Sequence, residues 1–378
     1  MNHKPKIGYY ISHHGSGHIN RAKSLLPKLL EQADITVLSN KIDNFNEFKD
    51  LNKVYTSINS IKAGNEFLQQ HRPCSALHGS ELKGKESLSR MSTIVKWINE
   101  TKPDLMLIDV CAEVNMLARL CGIPTILFKQ HGKRVDLAHK CSYENAIALI
   151  APYSKELEDR YTTSETKAKT LYTGMFSRFD NLAKSDLTEN LYKSVKKKDI
   201  LVLSGSGSDD LDLDYLFYTA RLNFEYNWHI VGSKKNYTNT ATNFNNYGVV
   251  DNIAEHLNSA DLIVSSAGHN LVSEIASFRK PMLLIPAVRP FDEQKIKAKI
   301  LKKFNLALYS EKFPKAAAWS KIFKQASELE LNKWSKHFNA DAISQATNFI
   351  IDLAYKCQVV DGEEVKVDYQ EYLKIINS

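Results

Sequence analysis

The sequence contains no C-x-x-C pair, and its five cysteines (Cys74, Cys111, Cys121, Cys141 and Cys357) are odd in number. A fully paired disulfide framework and the usual zinc-ribbon spacing are therefore excluded. Cys111 and Cys121 fall in or beside apolar segments, where thiols pack as small hydrophobes; a reducing, cytoplasmic setting is expected. No stretch reaches the roughly 18 apolar residues that span a bilayer. The start, Met1 to Lys6, runs straight into the short apolar stretch Ile7–Ile11, without the longer run and small-residue site of a secretory signal. Aromatic residues do not interleave with lysine and arginine as a nucleic-acid stacking platform requires, so no nucleic-acid partner is expected.

What is present is a balanced globular composition. The chain has 378 residues, 43% hydrophobic and 25% charged, enough apolar material for two or three domains. The formal net charge of +7 favours anionic ligands. Its lysines are densest at Lys193–Lys198 and at Lys295, Lys297, Lys299, Lys302 and Lys303. The second run is interleaved with Ile296, Ile300, Leu301 and Phe304, a basic amphipathic helix pattern. Such a helix rests on anionic lipid, on an anionic substrate, or simply on water as an ordinary surface helix.

Hydrophobic periodicity divides the chain into two similar series. In the first, short apolar strands are expected at Lys6–Ser12, Ile35–Ser39, Leu105–Val110, Pro124–Phe128, Ala146–Ile150 and Thr170–Thr173. Helices are expected at Ile19–Gln32, Lys85–Glu100 and Ala112–Cys121. In the second, strands are expected at Ile200–Ser204, Trp228–Val231, Tyr247–Val250, Leu262–Ser265, Met282–Ile285 and Leu306–Tyr309. Helices there are expected at Leu211–Glu225, Ile253–Ser259, Asn270–Phe278 and Phe291–Phe304. Continuous apolar strands alternating with helices predict parallel sheets covered on both faces. The reading is two doubly wound α/β domains, 1–176 and 199–338, joined by the polar connection 177–198. The C-terminal segment 339–378, with a helix near Ala340–Lys356 and an apolar pattern at Tyr369–Ile376, is expected to cross back to the first domain. The long polar segment Gly64–Lys85 fits no regular element and is read as acceptor-side wall, with disorder as the alternative.

Three segments carry chemistry. His13-His14-Gly15-Ser16-Gly17-His18-Ile19-Asn20-Arg21 follows the first strand and opens a helix. Its glycines permit close backbone approach to a ligand, and the helix start offers unpaired N–H groups to negative charge. That positive end favours a neutral His18 able to accept a proton. Arg21 follows where a dinucleotide fingerprint would need another small residue nearby, so a plain NAD site is not expected. Asp109, ending the run Leu105–Ile108, either orients His18 or caps the next helix. In the second half, Ser265-Ser266-Ala267-Gly268-His269-Asn270 joins a buried strand to a helix start suited to pyrophosphate. Glu274, one turn further on, suits ribose hydroxyls. Ser204-Gly205-Ser206-Gly207-Ser208 supplies another phosphate-facing turn, and Phe291-Asp292-Glu293-Gln294 opens a further helix at the same sheet edge.

Ser266-Ala267-Gly268-His269-Asn270, Ser273-Glu274, Lys280-Pro281 and Phe291-Asp292-Glu293-Gln294 resemble the donor-binding half of glycosyltransferase family 28. That family includes the peptidoglycan N-acetylglucosaminyltransferase and is related to plant and microbial UDP-sugar transferases. Gly17-His18-Ile19-Asn20 is similar to the loop carrying the acceptor-activating histidine of those transferases. The resemblance implies a GT-B fold, with two Rossmann-like domains facing a central cleft. It further implies an inverting, metal-independent glycosyltransferase that uses a UDP- or other NDP-sugar and no cofactor. His18 would be the general base and Asp109 its orienting partner. Gly17, Ser204, Gly205, Ser206, Ser266, Gly268, His269, Asn270 and Ser273 would line the donor site. Glu274 would meet the ribose, Asp292 and Gln294 the sugar, and the backbone around Val250 and Asn252 the base. His14, Gln130, His131 and Arg134 would lie on the acceptor side. No D-x-D motif stands at a suitable strand end, in keeping with leaving-group stabilisation by amides and side-chain donors.

Arg21 departs from the proline of Gly-His-x-x-Pro. The loop resembles the Gly-x-Gly-His-x-x-Arg of a smaller group that contains the UDP-sugar hydrolase of pseudaminic acid synthesis. Hydrolysis or epimerisation of a nucleotide sugar, and binding without turnover, therefore stand beside transfer. The acceptor is a hydroxyl compound of unread identity, such as a cell-surface glycan or lipid-linked precursor. Arg72, Lys133, Arg134 and the lysines after Gln294 point to an anionic or lipid-linked one, with peripheral contact at the inner face of the membrane.

Overall fold

A computed structural model describes residues 3–12, 17–57, 85–180, 182, 197–204, 211–235 and 237–358. His14, Gly205, Ser206, Arg72, most of Gly64–Lys85, Lys193 to Lys196 and the pattern Tyr369–Ile376 lie outside these residues. The first half contains β1 (Lys6–Tyr10), α1 (Gly17–Gln32), β2 (Asp34–Ser39), β3 (Asn52–Tyr55), α2 (Lys85–Thr101), β4 (Leu105–Asp109) and α3 (Ala112–Leu120). It continues with β5 (Thr125–Phe128), α4 (Leu137–Asn145), β6 (Ala148–Ala151), α5 (Ser164–Ala168) and β7 (Thr170–Tyr172). The second contains β8 (Lys198–Leu203), α6 (Leu213–Leu222), β9 (Tyr226–Val231), β10 (Phe244–Gly248), α7 (Ala254–Ser259), β11 (Leu262–Ser265) and α8 (His269–Ser277). After these come β12 (Met282–Leu284), α9 (Glu293–Lys303), β13 (Leu308–Tyr309), α10 (Trp319–Ser327) and α11 (Ala342–Lys356).

The strands form two sheets, ordered β3-β2-β1-β4-β5-β6-β7 and β10-β9-β8-β11-β12-β13. Every strand pair is parallel. Alternation along each strand serves two cores at once, as a sheet covered on both faces requires. Ile7, Tyr9, Leu105, Leu107, Ile126 and Phe128 join one cluster, while Tyr10, Met106, Ile108 and Leu127 join the opposite one. In the second sheet Leu201, Leu203, Ile263 and Leu284 face one way and Ile200, Val202, Val264 and Leu283 the other. Helix α11 comes from the far end of the chain yet places Ala346, Phe349, Ile350, Leu353 and Ala354 in the first sheet's core, beside α1.

Several elements differ from the sequence reading. The strand expected through Val110 stops at Asp109, because Val110 turns to a left-handed backbone with φ of 64°. The strand expected at Tyr247–Val250 is Phe244–Gly248, at the sheet edge. The helix expected over Leu211–Glu225 is shorter; Asp212 caps its start by accepting the Tyr215 N–H. Elements β3, α4, α5 and α10 had no counterpart in the reading. β3 is an edge strand, mostly exposed, so it carries no apolar run. α4 is polar, and its strongest sequence mark is the capping Asp136.

Candidate active site

In both sheets the strand order reverses between two neighbours, β1 and β4 in the first, β8 and β11 in the second. The chain leaves such neighbours in opposite directions, opening a crevice beyond their carboxyl ends. His18 lies just after β1 and Asp109 at the end of β4. Ser204 follows β8, and Ser266 to Asn270 follow β11. Although Gln130, Arg134, Asn252, Asp292 and Gln294 come from other strand ends, these residues therefore stand at the two switch points. The lobes meet there: the Asn270 side-chain amide donates to the Gly17 carbonyl across 3.0 Å. The first turns of α1 and α8 thus approach each other.

On the first lobe, His18 Nδ1 lies 3.0 Å from Asp109 Oδ1. Arg21, one turn after His18, brings Nη2 to 2.8 Å from the same carboxylate oxygen and 3.2 Å from His18 Nδ1. The imidazole nitrogen serves one of these partners at a time: it donates to the carboxylate or accepts from the guanidinium. Asp109 is fully buried; burial pushes its carboxyl up, but Arg21 and His18 overcome that and hold it below its ordinary value. Arg21 also stacks 4.8 Å from the Phe128 ring. Val110, directly after Asp109, is β-branched and left-handed, a conformation costing about 1–3 kcal/mol that local structure must hold in place.

On the second lobe, Gly268 precedes α8 and His269 begins it. Burial, together with the charges of Lys297 and Arg21, moves His269 well below the usual imidazole range. Gln294 faces the Gly268 turn and anchors its Oε1 on the Ala287 N–H at 2.9 Å. Asp292 is exposed and left-handed, as is its neighbour Phe291 in backbone. Ser273 is buried and donates to the His269 carbonyl within α8. Asn252 caps α7 through the Ala254 N–H, and Val250 packs against the lobe's core. Glu274 is buried and ion-paired with Arg178 at 2.9 Å; burial raises its carboxyl and Arg178 lowers it in part.

The loop after β5 crosses to the second lobe. Lys133 N–H donates to the Phe291 carbonyl at 2.7 Å, and Arg134 stacks over the Phe291 ring and meets Glu293 at 3.3 Å. Gln130 accepts from Arg134 at 3.3 Å. His131 is buried, donates from Nε2 to the Leu157 carbonyl at 2.8 Å, and is driven down to about 3 by burial and by Lys297 and Lys129. Its Nδ1 therefore presents a lone pair. Behind it, Lys129 and Glu158 form a buried pair at 2.7 Å.

Sequence reasoning missed Arg178 and saw Arg21 only as a departure. It left Lys297 in a basic helix resting on lipid, on an anionic substrate or on water; at 1% exposed, Lys297 is no ordinary surface lysine. Gln294, Lys297, Ala298 and Leu301 are the buried residues of α9, and their spacing of three, one and three is the inner stripe of a helix. That stripe was the available signal. Arg178 leaves none, since an arginine in a polar connection looks like any other. Among the described residues no group of three or more His, Cys, Asp or Glu side chains is placed to hold a metal ion.

Two parallel doubly wound lobes, meeting at their switch points, define the GT-B architecture. Solved structures of the same fold include MurG of Acinetobacter baumannii, with TM-score 0.62 and 16% identity over 92% of this chain and 99% of that one. They also include Arabidopsis thaliana UGT89C1 complexed with UDP, with TM-score 0.65 and 14% identity over 93% and 100%.

Residues 186–354 match the glycosyltransferase family 28 C-terminal domain. The chain is also 24% identical over 300 residues to the UDP-N-acetylglucosamine–N-acetylmuramyl-(pentapeptide) pyrophosphoryl-undecaprenol N-acetylglucosamine transferase of Sulfurihydrogenibium sp., covering 74% of this chain and 82% of the relative. The same enzyme of Clostridium kluyveri is 29% identical over 136 residues, 34% of this chain and 38% of the relative. The protein is a glycosyltransferase whose C-terminal half matches the family 28 domain.

Proposed function

We propose that the protein transfers a sugar from a UDP-sugar to a hydroxyl acceptor with inversion, using His18 as general base. The observation that carries this reading is the His18–Asp109 pair at 3.0 Å, facing the α8 helix start that touches Gly17 through Asn270. With Nδ1–H donated to Asp109, the stronger charged acceptor, Nε2 is left with a free lone pair. It takes the acceptor hydroxyl's proton as that oxygen attacks the anomeric carbon. The bond from that carbon to the diphosphate oxygen breaks, and the electron pair leaves with the nucleotide. Amides at Gly268, His269 and Asn270 stabilise that charge.

In this reading Ser204 and Ser266 flank the diphosphate, while Glu274, adjusted by Arg178, meets the ribose. The backbone near Val250 and Asn252 receives the base. Gln294 and Asp292 meet the sugar, and Gln130, His131 and Arg134 border the acceptor. The relatives named above use UDP-N-acetylglucosamine and an undecaprenol-linked acceptor, which supports a UDP-sugar donor and a lipid-linked acceptor met at a membrane surface. No described helix is long and apolar enough to cross a membrane.

UDP is expected to raise the thermal unfolding midpoint, and His18→Ala to lower transfer by at least 100-fold while keeping that shift. Undiminished transfer in the variant removes His18 from its role. Arg21 beside the pair keeps water as an alternative acceptor in view, since it sets this loop apart from the Gly-His-x-x-Pro type. Stoichiometric sugar release without added acceptor identifies a hydrolase.

A further inference from the structure

We propose that Lys297 seats an anionic group of the sugar donor, completed by free N–H groups of Arg21 and Arg134. This rests on the glycosyltransferase reading and adds the charge that the donor must carry at this point. Among the described residues, Lys297 Nζ is buried and has no hydrogen-bond partner. Arg21 Nε and Nη1 and Arg134 Nε are likewise buried and unpartnered among them. Asp109 is paired with Arg21 and Glu293 with Arg134, so neither carboxylate hydrogen-bonds the ammonium.

The starts of α1 and α8 meet through Asn270 and Gly17, and His269 at the head of α8 feels the charges of Lys297 and Arg21, so positive helix ends add to this region. A buried charge left unpaired is costly, and an anion supplied by the ligand removes that cost. Burial, opposed by Glu293 and reinforced by Arg21 and Arg134, depresses Lys297 to about 8. Lys297 stands one turn beyond Gln294, which faces Gly268 at the head of α8. The ammonium is therefore on the donor's side of the cleft. The shared chemistry is a set of anionic oxygens, either the diphosphate or a carboxylate on the sugar.

The test compares thermal shifts of the wild type and Lys297→Met with uridine, UDP, UDP-glucose, UDP-glucuronic acid and inorganic pyrophosphate. Without ligand the variant should unfold at a higher temperature than the wild type, whereas a lysine with a purely structural role would give a lower one. If the variant keeps the uridine shift but binds UDP 10- to 100-fold more weakly, the diphosphate is the anion. If UDP is unaffected and only the preference for UDP-glucuronic acid over UDP-glucose disappears, the anion is the sugar's carboxylate. Equal responses of both proteins to all five ligands overturn the proposal. If neither uridine nor UDP moves the wild type, the UDP-sugar reading fails by itself. Pyrophosphate then decides: a shift in the wild type that the variant lacks upholds Lys297, and its absence or equality overturns it. Lys297→Gln, shorter and neutral, repeats the series should the first variant fail to fold.

Discussion

Arg21 commits a single nitrogen, Nη2, to both Asp109 and His18, so the three side chains behave as one unit. Replacing Asp109 with Asn strips a buried arginine of its counter-charge without changing shape. Breaking a buried pair in this way costs roughly 3–5 kcal/mol, which urea unfolding measures; a loss below about 1 kcal/mol would show that Arg21 finds compensation elsewhere. Glu158 offers a parallel case with a pH signature. Burial raises its carboxyl, but Lys129, with Tyr172 also donating to it, brings it down to about 2. Because the folded value is depressed, the stabilisation is complete above the unfolded value near 4.3 and is lost as pH falls toward about 2. The difference amounts to roughly 3 kcal/mol. Glu158→Gln should flatten stability across that acid window and lower it at neutral pH; an unchanged acid limb would remove the pair from the account. The pairing of His18 and Asp109 could be read because one opens the helix after an apolar strand and the other ends an apolar strand. Their link to Arg21 could not, since it needs a strand 88 residues away to be the neighbour of β1.

At the level of elements, the strand ends of the second lobe leave little freedom. Gly232 follows β9 with φ of 92°, and a Cβ there would stand 2.3 Å from the Ser204 carbonyl oxygen. Gly232→Ala therefore forces both an unfavourable backbone and a displacement of the turn after β8. A penalty of roughly 1–3 kcal/mol for the backbone alone is expected. With Ser204 at the proposed donor site, UDP affinity should fall with it. Urea unfolding together with the UDP thermal shift checks this, and wild-type values in both would show that Ser204 is free to move. Most strands could be read from sequence because burial on both faces gives continuous apolar runs. β3 could not, being exposed at the edge. Nor could the Phe291–Asp292 turn, whose two left-handed residues are held by the docking of Lys133 and Arg134 from the other lobe.

Over the whole molecule, chain order and core membership part company. One of the second lobe's clusters is its own, the other takes in Ala151, Tyr153, Leu157 and Met175 from the first half, and α11, which follows the second lobe, completes the core around β1, β4 and α1. The lobes thus touch through polar bridges, such as Asn270 to Gly17 and Arg134 to Glu293, and through one shared apolar cluster. The other three clusters each belong to one sheet, so two calorimetric transitions are expected. Ile350 in α11 is fully buried against the first lobe; truncation to Ala opens a cavity worth about 2–5 kcal/mol. Ile350→Ala should therefore lower the transition of the first lobe. UDP, which the proposed function places mainly on the second, should raise the other transition by mass action. If the substitution and UDP act on the same transition, α11 and the donor site belong to one cooperative unit. The cleft would then be a rigid seam and not a joint that closes on its substrate.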